Sequence, residues 1–319
     1  MDIRCAPGLL EEAVVRGVLH RTEAGDASWT RDLHVLTDSA YLHPEAEREG
    51  QFAEAHALFF RKLGYGKVLE TVVAEFKGLG GAVSELVIDR AMTPSEEEAD
   101  LRECADGRLG IRILLRVTRF DDLDALAGFY RHELVHVEDM LNPVFGYRAV
   151  PRIADRPAEE NLVRARLRLL WNLSIGGRVE RSGKRGAATR AEWTQTAANA
   201  WPGFSPEVRE AVVRRLWDGA GMTWAILLDI ARDARKLLTF AGVSQETSVR
   251  GPGSLCPLCS FPTFSWQEDP ATAPARVIAA LKIDFPGWTP DQGACRQCMD
   301  GYELRIRFAP SVALNTIRD

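Results

Sequence analysis

Two CxxC pairs, Cys256-Pro-Leu-Cys259 and Cys295-Arg-Gln-Cys298, constrain this chain more than any other feature in it. Residues 260–294 lie between them, so one ion shared by four thiolates would oblige two distant segments to fold onto a single point. Paired knuckles are the mark of a closed, tetrahedral structural zinc site. Four thiolates also suit iron in a rubredoxin-like site, and that alternative stays open. A single CxxC would equally suit redox chemistry, whereas two together argue for metal. The residues after each knuckle (Phe261, Phe264 and Trp266; Tyr302, Leu304 and Ile306) are expected to form the strands of a zinc ribbon, with a short helix over residues 274–282 filling the spacer.

The compartment bears on that choice. Met1 to Arg21 mixes Asp2, Arg4, Glu11, Glu12 and Arg16 into its apolar residues, unlike a signal peptide. No stretch reaches the ~18 apolar residues of a membrane span. The expectation is a cytoplasmic protein with reduced thiols, in which cysteines serve metal, and Cys5 and Cys104 remain ordinary free thiols. A net charge of −5 does not favour general nucleic-acid or anionic-membrane binding, so nucleic acid enters only as a partner for the ribbon.

Along the chain, helices are expected at Leu9–Leu19, Glu45–Leu63 and Lys67–Phe76, with an irregular stretch around Trp29 and Pro44. Ala82–Ile88 and Leu109–Phe120 read as strands, and the acidic segment Pro94–Arg108 as a loop. Asp121 and Asp122 should cap a helix over Leu123–Leu141, ended by Asn142-Pro143. Pro157 and Glu159-Glu160 open a long helix to Arg181, and further helices are expected at Ala191–Ala200, Pro206–Trp217 and Met222–Phe240. Gly251-Pro252-Gly253-Ser254 breaks the chain before the cysteines.

The helix at 123–141 carries His132-Glu133-Leu134-Val135-His136. Residues i and i+4 share a helix face, so both histidines can reach one metal, while Glu133 lies about 100° round, placed for a metal-bound water. Zinc would lower that water's pKa toward ~7, and Glu133 would take its proton as general base. A catalytic zinc takes about three protein ligands and one open position. The other histidines (His20, His34, His43, His56) all precede the motif, so a carboxylate is expected as third ligand unless one of these histidines folds back onto the site. Glu180 is the preferred candidate. It follows Gly176 by four residues, and a helical glycine costing ~1 kcal/mol suggests close approach of the motif helix. Asp139, seven residues after His132, is the rival, as a ligand or as a partner that orients His136. Tyr147 and Arg178 are candidate oxyanion stabilisers.

Asn172 to Glu180 looks like the NxxxxxRVE ending on the second helix of some gluzincin-type zinc sites. Leu109–Asn142 and Cys256–Tyr302 together resemble zincin-fold metallopeptidases with a C-terminal zinc ribbon, as in SprT-like proteins. That family takes its third ligand from a downstream histidine, and this chain has none. The resemblance implies a zinc-dependent hydrolase, a metallopeptidase acting on a peptide or protein. The other reading is a non-catalytic zinc protein whose ribbon and motif helix bind protein or nucleic acid. The expected architecture is α+β, with a mostly helical zincin-like domain and small β-sheet over residues 1–250, a zinc ribbon over residues 251–319, and two Zn2+ ions.

Overall fold

The computed structural model describes residues 1–105, 107–154, 160–201, 204–233, 235–242, 253–259 and 261–308. The expected helix-opening residues Pro157 and Glu159, and Gly251-Pro252 of the expected break, lie outside them. The fold is α+β, mostly helical, with one four-stranded mixed sheet and one two-stranded sheet. Among the described residues, no helix is long and apolar enough to cross a membrane. The chain divides into two compact units, residues 1–149, 171–193 and 217–225 in one, and residues 150–170, 194–216 and 226–319 in the other.

In the first unit, β1 (Asp2–Cys5) precedes five helices: α1 (Pro7–Glu23), α2 (Ser28–Ala40), α3 (Glu45–Lys62), α4 (Tyr65–Val73) and the single turn α5 (Leu79–Ala82). The strands β2 (Glu85–Arg90), β3 (Glu98–Glu103) and β4 (Leu109–Leu115) follow, then α6 (Leu123–Leu141). The sheet order is β1-β2-β4-β3, parallel from β1 through β4, with β3 antiparallel on the edge beside β4. Leu86, Ile88, Ile111, Ile113 and Leu115 point from the sheet into a core completed by Leu9, Phe59, Leu126, Phe129 and Leu134 from the helices. Burial of this set is the main drive for the unit, since each such side chain contributes roughly 1.5–3 kcal/mol.

Several segments differ from expectation, among them the strand expected to run to Phe120, which ends at Leu115 before a 3-10 turn over Val117–Asp121. The stretch around Trp29 is the helix α2, because Trp29, Leu33, Leu36 and Ala40 recur at helical spacing and pack inward. The acidic segment before β4 contains the edge strand β3, in which buried Ala99 and half-buried Leu101 alternate with exposed charged residues. Charged side chains are a normal protection for a sheet edge. Residues 1–5 add the parallel strand β1, too short to show a period.

The long helix α7 (Glu160–Arg181) carries its residues 171–181 in the first unit. Beyond it come α8 (Arg190–Ala200), α9 (Pro206–Asp218), α10 (Trp224–Arg232) and α11 (Arg235–Ala241), the last two replacing one expected helix. The second unit ends with strands β5 (Ser254–Leu255) and β6 (Pro262–Thr263), then α12 (Ala275–Asp284) and α13 (Arg296–Arg307).

Candidate functional site

The four cysteines form one cluster, with every pair of sulfur atoms within 4.8 Å. Cys256 and Cys298 stand 4.0 Å apart, and Cys259 and Cys295 3.9 Å. A tetrahedron with Zn–S near 2.3 Å has edges of about 3.8 Å, so these two pairs already stand close to the separation a tetrahedral ion requires. The amide of Cys295 donates to Cys256 Sγ at 3.3 Å, and that of Cys298 to Cys295 Sγ at 3.4 Å. Burial alone would raise the Cys256 thiol pKa, but the backbone amides of Cys259, Cys295 and Leu258 bring it down to about 7. Cys298 is pushed well up, first by burial and then by the neighbouring thiols, so the bare cluster resists full ionisation. A divalent cation would supply the missing charge.

The first knuckle sits between β5 and β6, as a ribbon knuckle should. The second does not lead into a strand. Cys295 bridges Trp266 in a single antiparallel pair and then caps α13, its sulfur accepting from the amide of Cys298. Met299, Tyr302 and Ile306 lie at helical spacing and pack on the cluster's apolar shell with Val277, Leu281 and Trp288, whereas Leu304 is exposed. The apparent 302-304-306 alternation was therefore misleading.

The HExxH residues belong to the first unit. The side chain of Asp122 caps α6 by accepting from the amides of Asp124 and Ala125, both at 2.9 Å, while Asp121 pairs with Arg16 instead. His132, Glu133 and His136 are all buried. Both imidazoles aim Nε2 at one atom, Oδ1 of Asn172 on α7, at 3.1 Å from His132 and 2.7 Å from His136. Glu133 accepts a hydrogen bond at 2.8 Å from the amide of Ala99 on the edge strand β3. An amide given to a carboxylate is one that the ladder with β4 does not use.

Aromatic rings enclose the pair. Trp193 stacks on His132 with ring centres 5.8 Å apart, and Trp171 meets His136 edge-on at 4.4 Å. Burial pulls His132 down to about 4, opposed by its bond to Asn172 and reinforced by Arg178 and Arg119, so the ring is neutral at physiological pH. Neutral imidazole is the form that ligates metal. Nδ1 of His132 and Nε1 of Trp193 are buried without a hydrogen-bond partner among the described residues.

The two carboxylates proposed as third ligand are engaged elsewhere. Asp139 accepts from Trp171 Nε1 at 2.6 Å and from both terminal nitrogens of Arg178. It thus holds the indole that packs on His136. Glu180 accepts from Trp217 Nε1. Gly176 shares that face, as the i and i+4 spacing requires, but it admits Trp217 and not the motif helix. A Cβ on Gly176 would lie 2.6 Å from the Trp217 ring, and one on Gly177 2.0 Å from the Trp217 carbonyl oxygen. Among the described residues, no third His, Cys, Asp or Glu joins His132 and His136 in a cluster of ligand atoms. Tyr147 packs against Trp171 and Trp224. A cavity of about 250 Å³ opens one turn beyond His136, lined by Asp139, Asn142, Phe145, Ser174, Arg178 and Met222 among others.

Asn172 is the site residue that ligand reasoning passed over, because an amide is not a standard zinc donor. Its place four residues before Gly176 and eight before Glu180 was the available signal. The chain matches no protein-family model, no curated protein and no solved structure.

Proposed function

We propose that this protein is a zinc-dependent hydrolase of the metallopeptidase kind, with His132 and His136 holding the ion and Glu133 as general base, beside a structural zinc on the four cysteines. The observation that carries this reading is the meeting of the motif face with the sheet edge. Two buried imidazoles converge on one point, and the intervening glutamate bonds to the edge strand at Ala99. The cavity beside Asp139 offers space for a substrate side chain.

Bound zinc would contribute Lewis acidity and a coordinated water of pKa near 7. With the ion bound, Glu133 would accept a proton from the attacking water as the water oxygen bonds to the peptide carbonyl carbon, and would return it to the amine as the C–N bond breaks, giving a carboxylic acid and an amine. The Ala99 amide fixes one carboxylate oxygen of Glu133, which keeps its orientation through both transfers. Arg178 and Tyr147 stay candidates for the carbonyl oxygen. Arg178 would have to share its charge with Asp139 to serve.

A second reading rests on a specific observation. One amide oxygen can accept from both imidazoles, so Asn172 satisfies His132 and His136 without any ion. In that case metal occupies the cysteine cluster alone, and the protein is a binding protein for other proteins or nucleic acid. Glu133→Gln separates the two. Glutamine keeps a carbonyl that can accept from Ala99, so fold and metal content should be retained, while hydrolysis of a broad peptide library falls by at least ~10²–10⁴. Cleavage that survives in the variant, or a wild-type protein that never holds more than one metal, would remove the enzyme reading.

A further inference from the structure

We infer that Asn172 is the third metal donor of the histidine site, through its side-chain oxygen; this rests on the reading of His132 and His136 as ligands. Its Oδ1 lies at hydrogen-bonding distance from both Nε2 atoms, at 3.1 and 2.7 Å. Ligand atoms round a tetrahedral N/O zinc site stand about 3.3 Å apart, given bond lengths near 2.0–2.1 Å. The two edges that meet at Oδ1 are therefore short of such a site by about 0.2 Å on the His132 side and about 0.6 Å on the His136 side. Among the described residues, the two carboxylates expected as third ligand hold other partners, Asp139 with Arg178 and Trp171, Glu180 with Trp217.

This assignment says something about the chemistry. Two neutral imidazoles and a neutral amide bring no negative charge, so a divalent ion keeps its full charge at the site, as it does with three imidazoles. Such an ion is a stronger Lewis acid than one with a carboxylate ligand, and is held less tightly. The site is thus expected to exchange its metal freely while the cysteine site retains its own.

The test uses the full chain, stripped of metal and titrated with Co2+, whose absorption distinguishes thiolate from nitrogen and oxygen coordination. Wild type should take two Co2+, one in each kind of site. Asn172→Leu, which keeps the shape and removes the donor, should weaken the nitrogen/oxygen site by more than ~100-fold, beyond the ~10–100-fold loss typical of an outer-sphere partner. The cysteine site should be unchanged, which reports that the chain has folded. Asn172→Asp should bind the second ion at least ~10-fold more tightly and shift its d–d bands, as a charged oxygen inside the coordination sphere does. His136→Ala is the control. If it empties the second site while Asn172→Leu binds as wild type, the Asn172 assignment is wrong and the histidine site stands. If Asn172→Asp leaves the bands unmoved, the residue is an outer partner and the assignment is equally overturned. Should wild type take only the cysteine-bound ion, the histidine site itself falls, and Asn172 with it.

Discussion

Arg178→Ala should destabilise the protein by about 2–3 kcal/mol, a figure that follows from what it leaves behind. Asp139 is 3 % exposed and accepts from three donors, two of them on Arg178. Truncating one partner of a fully buried ion pair costs ~3–5 kcal/mol, because the other charge is stranded in a medium that solvates it poorly. Here the figure is lower for two reasons. The Arg178 side chain is itself 38 % exposed, and the adjoining cavity of about 250 Å³ lets water reach the orphaned carboxylate. Urea and thermal unfolding followed by tryptophan fluorescence would measure it, with the transition about 4–12 °C lower at ~2–4 °C per kcal/mol. The cycle with Asp139→Asn should show coupling of ~1–3 kcal/mol. An Arg178→Ala protein within ~0.5 kcal/mol of wild type would refute the argument, since it would mean the carboxylate never depended on the guanidinium.

Three further outcomes are expected. Cys298→Ser should abolish metal binding at the cysteine site, read as the loss of one equivalent in elemental analysis and of thiolate-to-cobalt absorption. Gly177→Ala should destabilise in a melting assay despite the ~1 kcal/mol gain in helix propensity, because its Cβ would stand 2.0 Å from the Trp217 carbonyl oxygen. Burial alone would raise the Glu97 carboxyl, but Arg119 and Arg116 bring it below its ordinary value of 4.5. A depressed carboxylate contributes stability above its unfolded pKa and loses it as pH falls through the folded value. Glu97→Gln should therefore be less stable than wild type at pH 7, with the gap closing below pH ~4.

What was readable in the sequence tracks how local the determining interaction is. The helix at Leu123–Leu141 was legible to the residue, since Asp122 caps it and Asn142-Pro143 ends it. The cysteine cluster was legible because spacing alone defines a knuckle. The edge strand β3 was not, because its alternation is written in Glu, Asp and Arg around one alanine and one leucine, and pairing with β4 decides its form. The helix α13 was hidden by coincidence, as Tyr302, Leu304 and Ile306 satisfy a period of two while Met299, Tyr302 and Ile306 satisfy one of 3.6. Gly176 was placed on the right face and given the wrong neighbour, since helical spacing reports direction and not which distant tryptophan arrives there. The partners of Asp139 and Glu180, Trp171 and Trp217, were invisible for the same reason.

Cys295 occupies the N-cap of α13 as well as a corner of the sulfur cluster. A thiolate in that place faces the positive end of the helix dipole and takes up an otherwise unpaired amide, whereas a protonated or oxidised sulfur does neither well. The first turn of α13 is thus sensitive to the electronic state of one atom, while Met299, Tyr302 and Ile306 hold the rest of the helix by packing. Acid and peroxide should loosen that turn by taking the charge from the sulfur, and a chelator by removing the cation that keeps the sulfur ionised, so far-ultraviolet circular dichroism should report all three.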